Sequence, residues 1–452
     1  MSKIRRISNF QGEFCFSDQQ EQFSEYYVRF LSSELGKIYS AIPWDNLVNG
    51  FGLKDSKKGP ASLFSPRGKL GLMFLKHYSC CSDRKLIEQL NSNIDYQFFC
   101  DLHLGLDRID NYKIVSDIRC ELSSILAIDK IEVILYTYWK PHINESEKIT
   151  LDATCYESEV RYPTDQKLLW ESVDWLYRQI QSHSKLLGIK QPRTKYLKWK
   201  RRYISYSKMR KKTNKRKMKL TRSLLHLLHK LLAYEKQLLK QHSLTLPKRY
   251  YKTVNTIKKV YRQQYLLFTK GEKPNGRIVS LSKAYLRPIV RGKEIKSVEF
   301  GAKVNKLQIN GISFIEHISF DAFNEGTRFI STIYKAQSLT HKKVKIAGAD
   351  GIYATNKNRV FATSHTIKTD FKPKGKPSKH HKAQKQLKSL ITKERASRLE
   401  GSFGKEKEHY HLKKIKAKTK LTERLWIFFG IHTANALEIG RRMALKQQKI
   451  AA

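Results

Sequence analysis

Acidic residues are scarce in this chain. Its 452 residues carry 40 Asp and Glu against 88 Lys and Arg, a formal net charge of +48 at pH 7. A surface so charged repels itself and gains most by neutralising a polyanion, so nucleic acid is the first partner to consider, ahead of a ribosomal or membrane-surface role. Cysteine is also sparse. The six present, Cys15, Cys80, Cys81, Cys100, Cys120 and Cys155, form no C-x-x-C pair and have no histidines at matching spacing. That argues against a zinc site or a disulfide framework and reads as reduced, mostly buried thiols of a cytosolic protein. No run approaches the roughly 18 apolar residues that span a bilayer. The N-terminal "MSKIRRISNFQGEFCFS" lacks the apolar stretch of a secretion signal, so a soluble, cytoplasmic protein without a membrane partner is expected. Core-forming material is abundant: 40% hydrophobic and 11% aromatic residues can fill two or three domains.

Residues from about 20 to 140 have helical spacing throughout. "GKLGLMFLKHYSC" and "SDRKLIEQLNSNIDYQFFCDLHL" place apolar residues three and four apart, with Ser82 and Asp83 as a capping signal between two helices. Such a pair suits a helix-turn-helix or a plain bundle. The period changes at "KITLDATCY", a strand with Ile149, Leu151 and Ala153 on one face and Asp152 on the other. In "TDQKLLWESVDWLYRQI" a stripe of Leu169, Val173, Leu176 and Ile180 follows a cap at Thr164 or Asp165. Trp170 and Trp175 beside that stripe read as core rather than as platforms for a displaced base.

Between residues 176 and 271 the composition shifts, and Glu235 is the only acid in that span. "KYLKWKRRYISYSKMRKKTNKRKMKLTR" is crowded with cations, while "LLHLLHKLLAYEKQLL" keeps a leucine stripe, so this block reads as a basic helical insertion rather than a disordered loop. Strand patterns return in "GRIVSLSKAYLRPIVRG", "KSVEFGAKVNKLQI" and "ISFIEHISFDAF"; a helix, "GTRFISTIYKAQSL", leads into "KVKIAGADGIYAT". There Asp350 stands at a strand's C-terminal end before a glycine turn, a frequent place for chemistry in open α/β sheets. A basic connector, "FKPKGKPSKHHKAQK", then precedes the helical "ERASRLEGSFGKEKEHYHL" and "TERLWIFFGIHTANALEIGRRM". His432 reads as a satisfied interior group, and His409 and His411 as exposed phosphate contacts or solvated side chains.

Three acids have distinct settings: Asp152 on the first strand, Asp350 at the end of a late one, and Glu400 near the start of the following helix. Hard cations such as Mg²⁺ prefer carboxylate oxygens, and acids converging from strands and a helix can hold two ions for phosphoryl transfer. The competing reading makes the same acids caps and ion-pair partners. Glu157 and Glu159, by strand alternation, fall on the face opposite Asp152.

Five ordered motifs, "LDATCYESEVRYPTDQKLLWESVDWL", "GRIVSLSKAYLRPIVRGK", "VEFGAKV", "IAGADGIYATNKNR" and "RLEGSFGKEKEHYHLKKIKAK", resemble those of bacterial insertion-sequence transposases of the DDE class, near the insertion-sequence-five group. "LKHYSCCSDRKLIEQLNSNIDYQFFCDL" is similar to the helical leader domain of that group. The resemblance covers roughly residues 60 to 440. It implies an α/β fold with a ribonuclease-H-like catalytic core, a mixed sheet flanked by helices, over residues 141–175 and 272–452; a basic helical insertion over 176–271; and an all-α N-terminal domain, 1–140, for DNA-end binding. It implies Asp152, Asp350 and Glu400 as the catalytic, metal-binding triad, with two Mg²⁺ ions that Mn²⁺ can replace. Asp152 would then tolerate its strand position because a cation neutralises it.

Around Glu400 the family shows an Arg four residues upstream and a Lys seven downstream. Lys407 fits the second position, whereas Ala396 occupies the first, flanked by Arg395 and Arg398. The DNA contacts implied are Lys407, Lys405, Arg398 and Arg395 near the triad, and Lys198, Lys200, Arg201, Arg202, Lys211 and Lys212 in the basic block. The function implied is cleavage of the element's terminal inverted repeats and joining of the 3′-OH ends to target DNA, by a homodimer that pairs two ends, in the nucleoid-associated cytoplasm of a bacterium. The alternatives are a non-catalytic nucleic-acid-binding protein and a metal-dependent nuclease without strand transfer.

Overall fold

The computed structural model describes residues 6–7, 18–55, 62–242, 244–290, 298–372 and 381–451. The chain divides into two compact units, the first made of 1–158, 302–319 and 323–452, the second of 159–301 and 320–322.

The first unit opens with helices α1 (Asp18–Ser32), α2 (Glu34–Ser40), α3 (Trp44–Phe51), α4 (Pro66–Ser79), α5 (Asp83–Ser92), α6 (Ile94–Phe99), α7 (Ile114–Ile125) and α8 (Ile128–Trp139). Local chemistry sets their starts: Ser33, Ser65, Ser82 and Asn93 each accept a hydrogen bond from a backbone N–H two or three residues on. Ser82 is therefore the cap that the sequence signals.

In the second unit follow α9 (Asp165–Leu186), α10 (Tyr196–Lys208), α11 (Asn214–His242) and α12 (Lys248–Lys270). Thr164 caps α9, and Leu169, Val173, Leu176 and Ile180 form its buried stripe against the leucines of α11. Trp170 lies in the same core, stacked on Tyr196 and Tyr203. The strand pattern of "GRIVSLSKAYLRPIVRG" is mostly not realised: among the described residues only β2 (Pro288–Val290) is strand there. The preceding residues turn instead, with the Leu286 amide donating to the Lys283 carbonyl and the Arg287 guanidinium capping the Ala284 and Leu286 carbonyls. Apolar alternation cannot override a segment whose backbone groups are taken up locally. β2 pairs antiparallel with the first residues of β3 (Val298–Ile309).

The rest of β3 belongs to the first unit and forms an antiparallel hairpin with β4 (Ile312–Ser319). The sheet runs β3-β1-β5-β6, where β1 is Lys148–Ser158, β5 Ile346–Ala349 and β6 Lys368–Thr369, with β7 (Lys414–Ile415) also on β1. β1 is parallel to β5, β5 to β6, and β1 to β7, so the sheet is mixed. Helices α13 (Phe329–Thr340), α14 (Asn356–Ser364), α15 (His381–Glu394), α16 (Gly401–His409) and α17 (Lys420–Ala451) complete the unit. Within the connector "FKPKGKPSKHHKAQK", residues 373–380 lie outside the described residues.

α17 runs among α2, α4, α7 and β4. Its Gly440 permits the close crossing with α2, since a Cβ there would collide with the Lys37 carbonyl oxygen. Buried Glu132 of α8 accepts from the Ile315 amide of β4 at 2.6 Å and faces Lys335 of α13 at 2.8 Å and His432 of α17 at 3.3 Å. His432 is thus an interior group. The helices of 18–139 and the sheet share one unit.

Candidate active site

Strand register brings the first two acids together. Leu151 of β1 lies opposite Ala349 of β5, so Asp152 and Asp350 follow at the next step along two parallel neighbours. β1 is covered on both faces: Thr150, Thr154 and Tyr156, on the same side as Asp152, are buried along with Ile149, Leu151 and Ala153. Asp152 itself is half-buried. Its Oδ1 accepts from the Ala153 amide at 2.7 Å, and Asp350 Oδ1 accepts from the Gly351 amide at 2.6 Å. The turn after Asp350 is fixed by Tyr353, fully buried, whose hydroxyl donates to Asn305 Oδ1 of β3 at 2.6 Å. A Cβ on Gly348 would strike Ile391 at 2.5 Å, so glycine here lets α15 settle on β5 beside the acids.

Glu400 lies on a turn that contacts β1. The helical path from α15 to α16 is interrupted by a π-helical turn, Arg395–Glu400, which packs against β1; such turns concentrate at functional sites. Within it Arg395 Nη1 lies 3.3 Å from Glu400 Oε1, and its Nε lies 3.9 Å from Asp370 Oδ2 at the end of β6. Asp370 Oδ1 accepts from the Ala349 amide at 2.9 Å. Arg398, by contrast, turns to Glu394 at 3.3 Å.

The electrostatics follow from this crowding. Burial pushes the Asp152 carboxyl up to about 6, and the neighbouring Glu325 and Asp350 push in the same direction, while the Ala153 amide and Arg395 oppose them. Asp370 is likewise raised, first by burial and then by Asp350, against the pull of the Ala349 amide and Arg395. The site is a set of carboxylates held against mutual repulsion by one guanidinium. Among the described residues no group of three or more acids, histidines or cysteines is close enough to hold a metal ion. The donor set, all carboxylate oxygens, is nonetheless the chemistry Mg²⁺ prefers, and the raised Asp152 is a carboxyl that a further cation would relieve.

α16 is anchored by an interior network. Lys306 of β3, fully buried, pairs with Glu406 at 2.5 Å and donates to Ser402 Oγ at 3.1 Å, while the Tyr156 hydroxyl of β1 also donates to Glu406. Burial lowers the Lys306 pKa, and Glu406 and Asp152 counter it. Next in sequence, Lys407 reaches Thr154 Oγ1 at 3.1 Å, on the Asp152 side of β1. Lys405 is half-buried on the same helix. His409 is exposed, but His411 is not the solvated group expected: it packs against Trp426 and His77, and burial lowers it to about 4. Glu157 is half-buried in β1 and Glu159 lies beyond its end. Sequence reasoning did not single out Glu325, Asp370, Lys306 or Glu406. Only Asp370 carried a signal, as an acid just after the strand-like "TIKT".

The remaining candidates belong to the second unit. Lys198, Lys200, Arg201 and Arg202 are exposed on α10, and Lys211 and Lys212 on the link to α11.

Two family models match parts of the chain. Residues 348–431, which include Asp350, Asp370, Glu400 and Lys407, match the model of the Transposase DDE domain; residues 24–120 match that of a Transposase domain (DUF772). Each model covers less than half of the chain; the two matches together with the helical N-terminal region fit an insertion-sequence transposase of the DDE class and support a transposase function in general. No curated protein and no solved structure matches it. Among the described residues no helix is long and apolar enough to cross a membrane.

Proposed function

We propose that this protein binds the terminal inverted repeats of its element, hydrolyses the DNA at their ends and joins the freed 3′-OH to target DNA, with Asp152, Asp350 and Glu400 as the catalytic acids of a ribonuclease-H-like core. The observation that carries this reading is the convergence of Asp152 and Asp350 on adjacent parallel strands beneath the π-helical turn that ends in Glu400. The mixed sheet flanked by helices supports the core assignment. The three acids would hold divalent ions, Mg²⁺ or Mn²⁺, which when bound activate the attacking oxygen and stabilise the leaving one. Arg395 takes the place of the usual upstream arginine, because it faces Glu400 and Asp152 whereas Arg398 is engaged by Glu394. Lys407, with Lys405, would grip a DNA phosphate near the scissile bond.

In this reading residues 1–140 recognise the element ends, 141–175 and 272–452 form the catalytic core, and 176–271 hold duplex backbone through Lys198, Lys200, Arg201, Arg202, Lys211 and Lys212. Two copies pair two ends in the bacterial cytoplasm, at the nucleoid. The test is incubation of the purified chain with DNA bearing the inverted repeats that flank its coding region, plus Mg²⁺ or Mn²⁺. Nicks at the ends and strand-transfer products are expected. Binding without nicks would leave a non-catalytic DNA-binding protein, and free ends without joined product a nuclease.

A further inference from the structure

The basic unit contains more than a charged surface. Between α10 and the start of α11 lies a cleft of about 250 Å³ walled by Trp199, Tyr206 and Leu220. Trp199, Arg202 and Tyr206 stand at helical spacing on one face of α10. The Arg202 guanidinium lies 4.9 Å over the Trp199 ring, and Arg216 and Lys219 reach the cleft from α11. Trp199 is half-buried and Tyr206 buried, while the three cations and Ser205 are exposed. We propose that this cleft binds one unpaired DNA nucleotide, its base laid against Trp199 and Tyr206 and its phosphate held by Arg202, Arg216 and Lys219.

Two independent features point to that ligand. The first is charge placed against the helix: α11 begins with Lys215, Arg216, Lys217 and Lys219 and has no acid in its first turn. Cations at a helix N-terminus oppose its dipole, an arrangement that a bound anion relieves. Among the described residues no carboxylate is paired with Arg202, Arg216 or Lys219, and the one acid between 176 and 271, Glu235, is buried in the core of the unit. The second is the apolar wall. A duplex presents phosphates but keeps its base faces stacked, so it would draw the Arg202 guanidinium toward a phosphate and put no base against the Trp199 ring beneath it; inorganic phosphate would do the same. An unpaired base supplies the flat apolar face, and stacking on aromatic rings accepts any base.

This inference rests on the DNA-binding reading above, and the experiment separates the two. Binding of the full chain is compared between a blunt duplex and the same duplex with a short 3′ single-stranded DNA extension containing 2-aminopurine, at one salt concentration. The extended duplex should bind roughly tenfold tighter than the blunt one, as expected for one stacked base, with a change in 2-aminopurine fluorescence. Trp199→Ala should abolish the gain and the fluorescence change, and Trp199→Phe should keep part of both. Ser205→Phe, which plugs the cleft from an exposed position without touching the core, should abolish them with blunt-duplex affinity retained. Equal affinity of the wild-type chain for both duplexes, or an unchanged gain in Trp199→Ala and Ser205→Phe, overturns the cleft assignment alone. A gain from an RNA extension with none from DNA also overturns it. Failure to bind either duplex removes the DNA-binding reading together with it.

Discussion

The two units handle charge in opposite ways. The first sets Asp152 and Asp350 side by side on β1 and β5 with Asp370 just after β6, and places Arg395 against Asp370 and against Glu400 of the turn before α16. The second sets its cations on exposed helical faces and buries its single acid of 176–271 among leucines. Concentrated negative charge needs a scaffold, because each acid is placed by contacts distant in the chain. Spread positive charge needs only a helix with a hydrophobic stripe, since exposed lysines are solvated and their partner arrives from outside. On the proposed function, chemistry would sit where folding is long-range, and affinity where it is local.

The largest effects should come from breaking the acidic cluster. Single replacement of Asp152, Asp350 or Glu400 by Ala should lower Mg²⁺-dependent end cleavage by at least about 10³-fold, since groups acting as a unit fail together. Duplex affinity, measured in parallel by anisotropy, should change by about twofold or less, because the phosphate grip lies in other residues. Cleavage at the wild-type rate by any one variant would remove that acid from the set. The network beneath it should matter for stability. Lys306→Met strands Glu406 without its cation in the interior and should cost about 3–5 kcal/mol in urea unfolding. Adding Glu406→Gln should restore most of that loss; if it does not, Lys306 acts by packing rather than by pairing.

What could be read in the sequence divides along the same line. Ser82, Thr164 and the stripe from Leu169 to Ile180 follow from neighbours three or four residues away, and the helices they imply are present. The hairpin of β3 and β4 was legible as two apolar alternations separated by a short turn. Over residues 276–287 the same alternation suggested strand where turns prevail, because pattern records which side chains are apolar and not which backbone groups are already engaged. Of the site, the setting of Asp152 and Asp350 at strand positions could be read directly. Arg395 as the guanidinium facing Glu400, Asp370 beside it, and the Lys306–Glu406 anchor could not, for each depends on partners between 5 and 100 residues away. His411 misled for the same reason: lysine-rich surroundings in sequence say nothing of Trp426 packed on its ring.

The comparison sharpens if the two sets of cations are titrated separately. Replacing Lys198, Lys200, Lys211 and Lys212 by Gln should flatten the dependence of log K on log salt by roughly three to four units, about 0.9 for each phosphate that the protein no longer neutralises. Replacing Lys405 and Arg398 should change it by about two units at most. A slope unchanged by the first set would mean that the basic helices face something other than DNA.

The smallest expected effect probes the buried acid itself. Glu235 lies 3.5 Å from His183 within the second unit, neither of its carboxyl oxygens finds a hydrogen bond among the described residues, and burial pushes its pKa from 4.5 up to about 7. A carboxyl with a raised folded pKa binds more protons folded than unfolded, so its contribution to stability is complete below about pH 4.5 and is lost as pH rises to about 7. His183, lowered by burial from 6.5, acts with the opposite sign, and its effect fades as pH rises above 6.5. Both the wild-type chain and Glu235→Gln keep His183, so the difference between them isolates the glutamate. Comparing pH 6.5 with pH 7.5, the wild-type chain should lose on the order of 0.5–1 kcal/mol relative to Glu235→Gln, read as the difference between their urea midpoints multiplied by the m-value. Parallel pH profiles for the two proteins would mean that Glu235 is already ionised in the folded state and that the second unit, like the first, keeps a charged acid in its interior.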